Sequence, residues 1–141
     1  MIFNLNTKKY LAGYPLWARD PFTRLRGMIG RRFVSGKMDA LVFENCSSVH
    51  TCFMGYPLDL VYLDGDRRVV SVEKRLMPWR LSFGGRGAVS VIELPPGAVD
   101  FSGTRPGHVI NLDATLSRDG VEKFSSDAVL LTESVCGEVR K

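Results

Sequence analysis

The sequence predicts a single mainly-β domain, a sandwich or flattened barrel of about seven strands with one short helix near residues 20–30. Three observations lead there. The chain has 141 residues, the length of one ordinary domain. Its apolar runs are of strand length and are separated by turn formers among 14 Gly and 7 Pro, a pattern that favours sandwiches and barrels. One segment near the start instead carries apolar residues at helical spacing. No internal repeat of 20 to 50 residues interrupts this reading.

Taken in chain order, Ile2–Leu5 suits an edge strand. In Asp20–Arg32, Phe22, Leu25 and Ile29 recur at helical spacing, and Leu25 and Ile29 are expected to turn inward. Asp20 is placed to be the N-cap and Pro21 the first helical residue. Gly27 and Gly30 weaken the helix, so it is short or ends early. Asp39–Phe43 and Val49–Met54 are further strand candidates. Leu58–Leu63 and Arg68–Val72 flank Asp64-Gly65-Asp66, a hairpin turn in which Gly65 tolerates positive φ. Ala88–Leu94 alternates until Pro95-Pro96-Gly97 stops it, and Pro96–Gly103 has room for one helical turn. His108–Leu112 is the seventh strand, so residues 1–113 form the β-rich domain. Residues 114–141 read as a C-terminal extension, with a strand candidate at Asp127–Thr132 and a tail.

Composition narrows the class. Hydrophobic residues at 45% and charged residues at 24% exclude a disordered or low-complexity chain. No apolar run approaches the ~20 residues of a membrane helix. The start lacks a basic-then-apolar leader, so a cytoplasmic location is expected. Three cysteines without a C-x-x-C pair suggest reduced thiols. The net charge is +4, but residues 1–40 hold eight basic residues against two acidic ones. No base-reading or stacking signature accompanies them, so specific nucleic-acid binding is not expected.

The stretch Cys46–Asp66 carries most of the candidate chemistry. As a strand, Val49–Met54 would put His50, Cys52 and Met54 on one face. With Cys46 these are soft or borderline ligands that suit copper or zinc. Cys46, His50 and Asp59 would alternatively serve as nucleophile, base and orienting carboxylate of a thiol-dependent hydrolase. Asp59 shares a strand face with Val61 and Leu63, and Glu93 shares one with Val89 and Val91. A carboxylate on an apolar face must be paired, hydrogen-bonded or functional. Trp79 followed by Arg80 offers a flat cationic rim, or else Trp79 plugs one end of the sandwich.

Several motifs in fixed order resemble one known family. They are Arg26-Gly27-Met28-Ile29-Gly30-Arg31, the run CFMGYPLDLVYLD from Cys52 to Asp64, Pro78-Trp79, Glu93-Leu94-Pro95-Pro96-Gly97 and the closing Gly107-His108. Together they resemble the Domain-of-Unknown-Function 192 family over roughly residues 15–112. His50-Thr51-Cys52-Phe53-Met54 looks like the branch with His-Thr-x-Phe-Met, and His108 stands where an acidic residue is usual. Many members carry a signal or lipoprotein leader. The resemblance implies a mainly-β, sandwich-like fold and supplies no reaction.

Residues and resemblance together point to a non-catalytic binding or accessory module with a small polar groove. Its ligand-binding candidates are His50, Asp59, Trp79, Arg80 and Glu93, and its partner is an unidentified small molecule or peptide. The alternatives are a soft-metal protein using Cys46, His50, Cys52 and Met54, and the thiol hydrolase. No cofactor is expected unless copper or zinc occupies that set. The oligomeric state is left open.

Overall fold

A computed structural model describes residues 1–34 and 36–112. Asp127–Thr132 and the rest of the expected extension lie outside the described residues. In chain order the elements are β1 (Ile2–Asn4), β2 (Lys9–Ala12), β3 (Pro15–Trp17), α1 (Pro21–Arg26), β4 (Ala40–Glu44), β5 (Ser48–His50), β6 (Leu58–Leu63), β7 (Val69–Leu76), β8 (Leu81–Phe83), β9 (Ser90–Leu94), α2 (Ala98–Ser102) and β10 (Ile110–Asn111). The fold is mainly β, and among the described residues its sheets do not close into a barrel. Every expected strand within the described residues is present at least in part, and β2, β3 and β8 are additional.

A five-stranded sheet in the order β3-β4-β9-β6-β7 is the centre of the molecule. Only β3 and β4 run parallel; the other pairs are antiparallel. All of β6 and β9 is buried, because both faces of the sheet are covered. On one face Val42, Val61, Leu63, Ile92 and Leu94 meet Ile2, Leu11 and Ile110 of the three-stranded β10-β1-β2 sheet, together with Ala98 and Val99 of α2. On the other, Leu41, Phe43, Leu60, Tyr62 and Val91 pack with Met28, Met54 and Tyr56. Burying each large aliphatic side chain stabilises the fold by roughly 1.5–3 kcal/mol.

The helix agrees with its predicted ends but not with its predicted face. Asp20 Oδ1 accepts from Thr23 N–H at 2.8 Å, Pro21 opens the helix, and Gly27 at φ 52° ends it. Leu25, expected to turn inward, is 77% exposed, and Phe22 is 69% exposed. The early stop at Gly27 leaves the helical period only six residues long, and the core instead receives Met28 from the following turn. A second correction concerns the β6–β7 hairpin. Asp64 Oδ1 accepts from Asp66 N–H and Arg68 N–H, and the positive φ falls at Arg67, not Gly65.

Buried polar groups hold the corners. Asp39 accepts from the Gly13 and Tyr14 amides at 2.6 and 2.7 Å, fixing the turn between β2 and β3. Asn4 donates to Thr104 Oγ1 and lies 3.1 Å from His108 Nδ1, so His108 helps to tie the closing turn to β1. Gly84 lies against the Tyr62 ring: a Cβ there would fall 2.7 Å from Tyr62 Cγ and 2.6 Å from Ala88 Cβ, so no larger residue fits.

Asp59 is the most heavily used of these groups. It faces the α2 layer, 1% exposed, and accepts from Arg75 N–H at 2.9 Å, Gly97 N–H at 3.1 Å and Val99 N–H at 2.9 Å. The N-cap position of α2 is Gly97, which has no side chain to offer, so Asp59 caps the helix from across the layer. Burial pushes its carboxyl up and outweighs the three N–H groups that pull it down. Asp59→Ala orphans three amides and is expected to cost about 3 kcal/mol or more. Urea denaturation checks this; a midpoint unchanged from the parent protein contradicts the capping role.

Candidate functional site

Met54 and Tyr56 do not cover the second face of the sheet completely. A cavity of about 230 Å³ remains between the sheet, α1 with its following turn, and the β5–β8 ribbon. Phe43 and Glu93 enter it from the sheet, and Met28 and Ile29 from the turn after α1. Opposite them stand His50, Met54, Leu81 and Phe83. The volume is below the roughly 300–1,000 Å³ of drug-sized pockets, so the space suits a small molecule or a single side chain.

Glu93 is the unusual group. Its register neighbours are Leu41 on β4 and Leu60 on β6. The residue is 3% exposed, and among the described residues its Oε2 has no hydrogen-bond partner. Burial alone pushes its carboxyl up to about 8, so near neutrality it is mostly protonated. A bare buried carboxyl oxygen costs stability unless something else meets it.

The mouth is apolar and cationic. Leu25, Leu81 and Phe83 line it while exposed. Arg24 Nη1 and Nη2 donate to the carbonyls of Glu44 and Asn45 at 2.7 and 3.3 Å, and Arg26 Nε donates to Ile29 O at 3.0 Å. Cys46 Sγ donates to Ser48 O at 3.1 Å.

The structure divides the residues that the sequence singled out. His50 and Glu93 line one cavity, with Cys46 and Met54. Asp59 lies on the opposite face of the sheet, so it cannot orient His50, and the proposed Cys46–His50–Asp59 set does not assemble. The strand over Val49–Met54 is also overturned beyond His50. Thr51 is fully buried; its N–H donates to Arg80 O, while its Oγ1 receives Arg80 N–H and donates to Met77 O at 2.7 Å. These bonds pull the chain into a turn, with Phe53 at φ 64°. His50, Cys52 and Met54 therefore do not share a strand face, and Cys52 is not in the cavity. Among the described residues no three of His, Cys, Asp and Glu are grouped so as to hold a metal ion. Trp79 does not plug the sandwich. It is exposed at φ 62°, its ring centroid 4.7 Å from that of Phe53, with Arg80 exposed beside it.

Two determinants escaped the sequence reading. Thr51 carried a usable signal, a small hydroxyl between two candidate ligands, but its partners lie 26 and 29 residues away. Met28 was visible only as part of the Gly-Met-Ile-Gly motif, with no sign that it would replace Leu25 in the core.

The motifs that build this cavity are also those of a known family. A family model described as DUF192, Uncharacterized ACR, matches residues 15–112. The chain belongs to that Domain-of-Unknown-Function 192 family. A "UPF0127 protein" of Thermococcus sibiricus is 32% identical over 127 residues, covering 86% of this chain and 80% of the relative. Two crystal structures share the fold, each with a TM-score of 0.60 and covering 69% of this chain. One is a protein of unknown function from Novosphingobium aromaticivorans, 18% identical, 73% of whose chain is covered. The other is a candidate transcription regulator from Sinorhizobium meliloti, 21% identical, 79% of whose chain is covered. Among the described residues no helix is long and apolar enough to cross a membrane.

The carboxyl of Glu93 should set a pH dependence of stability. The unfolded chain ionises it near 4.5, whereas the fold keeps it protonated until about 8. Between those values the unfolded state binds fewer protons, so its contribution to stability is full below 4.5 and is lost as pH rises to about 8. Glu93→Gln cannot ionise, and it should gain on the parent by up to about 1 kcal/mol per pH unit across that window. Parallel melting curves for the two proteins over the window contradict the assignment.

Proposed function

We propose that this chain is a non-catalytic binding module that takes a small ligand in the cavity between α1 and the β5–β8 ribbon. Glu93 is its buried polar anchor, and His50 is a contact at its exposed edge. The observation that carries this reading is Glu93 itself, a buried carboxyl with a bare Oε2 that lines a space large enough to admit a partner. Support also comes from the mouth, where exposed Leu25, Leu81 and Phe83 leave apolar surface beside Arg24 and Arg26. Of the other candidates, Trp79 and Arg80 belong to a separate exposed aromatic feature with Phe53, and Asp59 serves α2.

Two-dimensional amide NMR with a library of small polar fragments tests the proposal. Binders should shift Met28, Val49, His50 and Leu81 and leave the β10-β1-β2 layer unmoved. Ser48 lines the cavity while exposed. Ser48→Trp should therefore obstruct the mouth without disturbing the core, weakening those binders by about tenfold or more. Fragments that act elsewhere, or that bind the variant equally well, contradict the site. Stoichiometric copper or zinc in protein purified without chelator would instead favour the metal reading. A Cys46 that alkylates unusually fast near neutral pH would favour the thiol enzyme.

A further inference from the structure

The cavity is chemically lopsided, and the imbalance defines a ligand class. The inference rests on the reading of this cavity as a binding site. Glu93 brings a carboxyl to a wall that also includes Phe43, Phe83, Met28 and Met54, two aromatic rings and two thioethers. Among the described residues no cation offsets its burial, which is the sole cause of its altered titration. Arg24 and Arg26 line the same cavity but donate to main-chain carbonyls at the mouth. What the described residues do not bring to Glu93 is a compact positive donor. Aromatic faces and methionine sulfurs tolerate such a group and also pack well against an apolar stem.

We infer that the cavity binds an ammonium group carried on a short apolar stem, its nitrogen donating to the Glu93 carboxyl and its stem lying against Met28, Met54 and Phe43. An ammonium has three N–H donors and can meet both carboxyl oxygens, Oε2 included. A ligand bearing only acceptors would meet the Glu93 proton and leave the other oxygen bare. On binding, the Glu93 carboxyl gives its proton to solvent, and the resulting carboxylate pairs with the ammonium. Affinity should therefore climb as pH rises towards the ionisation of Glu93.

Other titratable groups around the site must be separated from this effect. Around the cavity they are Arg24 and Arg26 from α1, and Cys46 and His50 before and in β5. Tyr62 on β6 donates to Ser82 Oγ and is electrostatically coupled to Glu93. Glu73 on β7 falls in the same cross-strand row, opposite Leu60. From β4 and β8 only Phe43, Leu81 and Phe83 line the cavity. A protonated His50 would also repel an ammonium, so His50→Asn is the necessary control.

The experiment is calorimetric and NMR titration of the full chain with three probes of one size: n-butylammonium, butyramide and butyrate. n-Butylammonium should bind best, with a gain of more than about tenfold between about pH 6 and about pH 8.5, and with release of about one proton near pH 6 that diminishes as Glu93 ionises. Whatever affinity His50→Asn and Cys46→Ser lose as cavity-lining variants, both should still bind the amine more tightly as pH rises. Glu93→Gln should abolish it and weaken binding by about tenfold or more, with Glu93→Ala as a second variant should Gln disturb the fold. If butyramide or butyrate binds in the cavity more tightly than the amine, or if Glu93→Gln binds the amine as well as the parent does, the ligand class is wrong and the binding site stands. If no probe shifts the Met28 or His50 amides at any pH, the inference and the binding reading fall together.

Discussion

The adjacent strands β6 and β9 are covered on both faces, and most of the architecture follows from the need to cover them. A strand buried on one side alternates apolar and polar residues, whereas Leu58–Leu63 and Ser90–Leu94 are buried at every position. Two separate layers are therefore required. The β10-β1-β2 sheet and α2 close one face. Among the described residues the other has no second full sheet; it is covered by Met28, Met54, Tyr56 and the short β5–β8 ribbon. A cover assembled from turns leaves space, and the cavity is that space.

The two buried carboxylates of this sheet show how environment decides role. Asp59 and Glu93 sit on adjacent strands, each among apolar neighbours, and burial raises both. Asp59 faces the complete layer, where three main-chain N–H groups converge on it and make it a helix cap. Glu93 faces the incomplete layer, where its Oε2 meets no donor. The same chemical group is structural on one face and, in the function proposed, meets a ligand on the other.

Much of the fold was legible because its signals are local. Asp20-Pro21 marks a helix start, Gly27 marks its end, and the runs at Leu58 and Ala88 are strands whose alternation assigns Asp59 and Glu93 to apolar faces. What escaped depends on partners distant in sequence. The strand reading of Val49–Met54 failed because Thr51 bonds to the Met77–Arg80 loop, and this turn removed Cys52 from the expected ligand face. The exposure of Leu25 followed from a helix too short to use its own periodicity. Residue type identified His50 and Glu93 as candidates. Their shared cavity depends on the packing of α1 and the ribbon over the sheet, which no short-range pattern encodes.

The account depends on Glu93 being buried without a partner, and its own titration tests that most directly. In a chain labelled with ¹³C at the glutamate carboxyls, the Glu93 resonance should titrate with a midpoint near 8. A midpoint at the ordinary value of 4.5 would mean that the carboxyl is solvated or already paired. That result would contradict both the lopsided cavity and the role assigned to it.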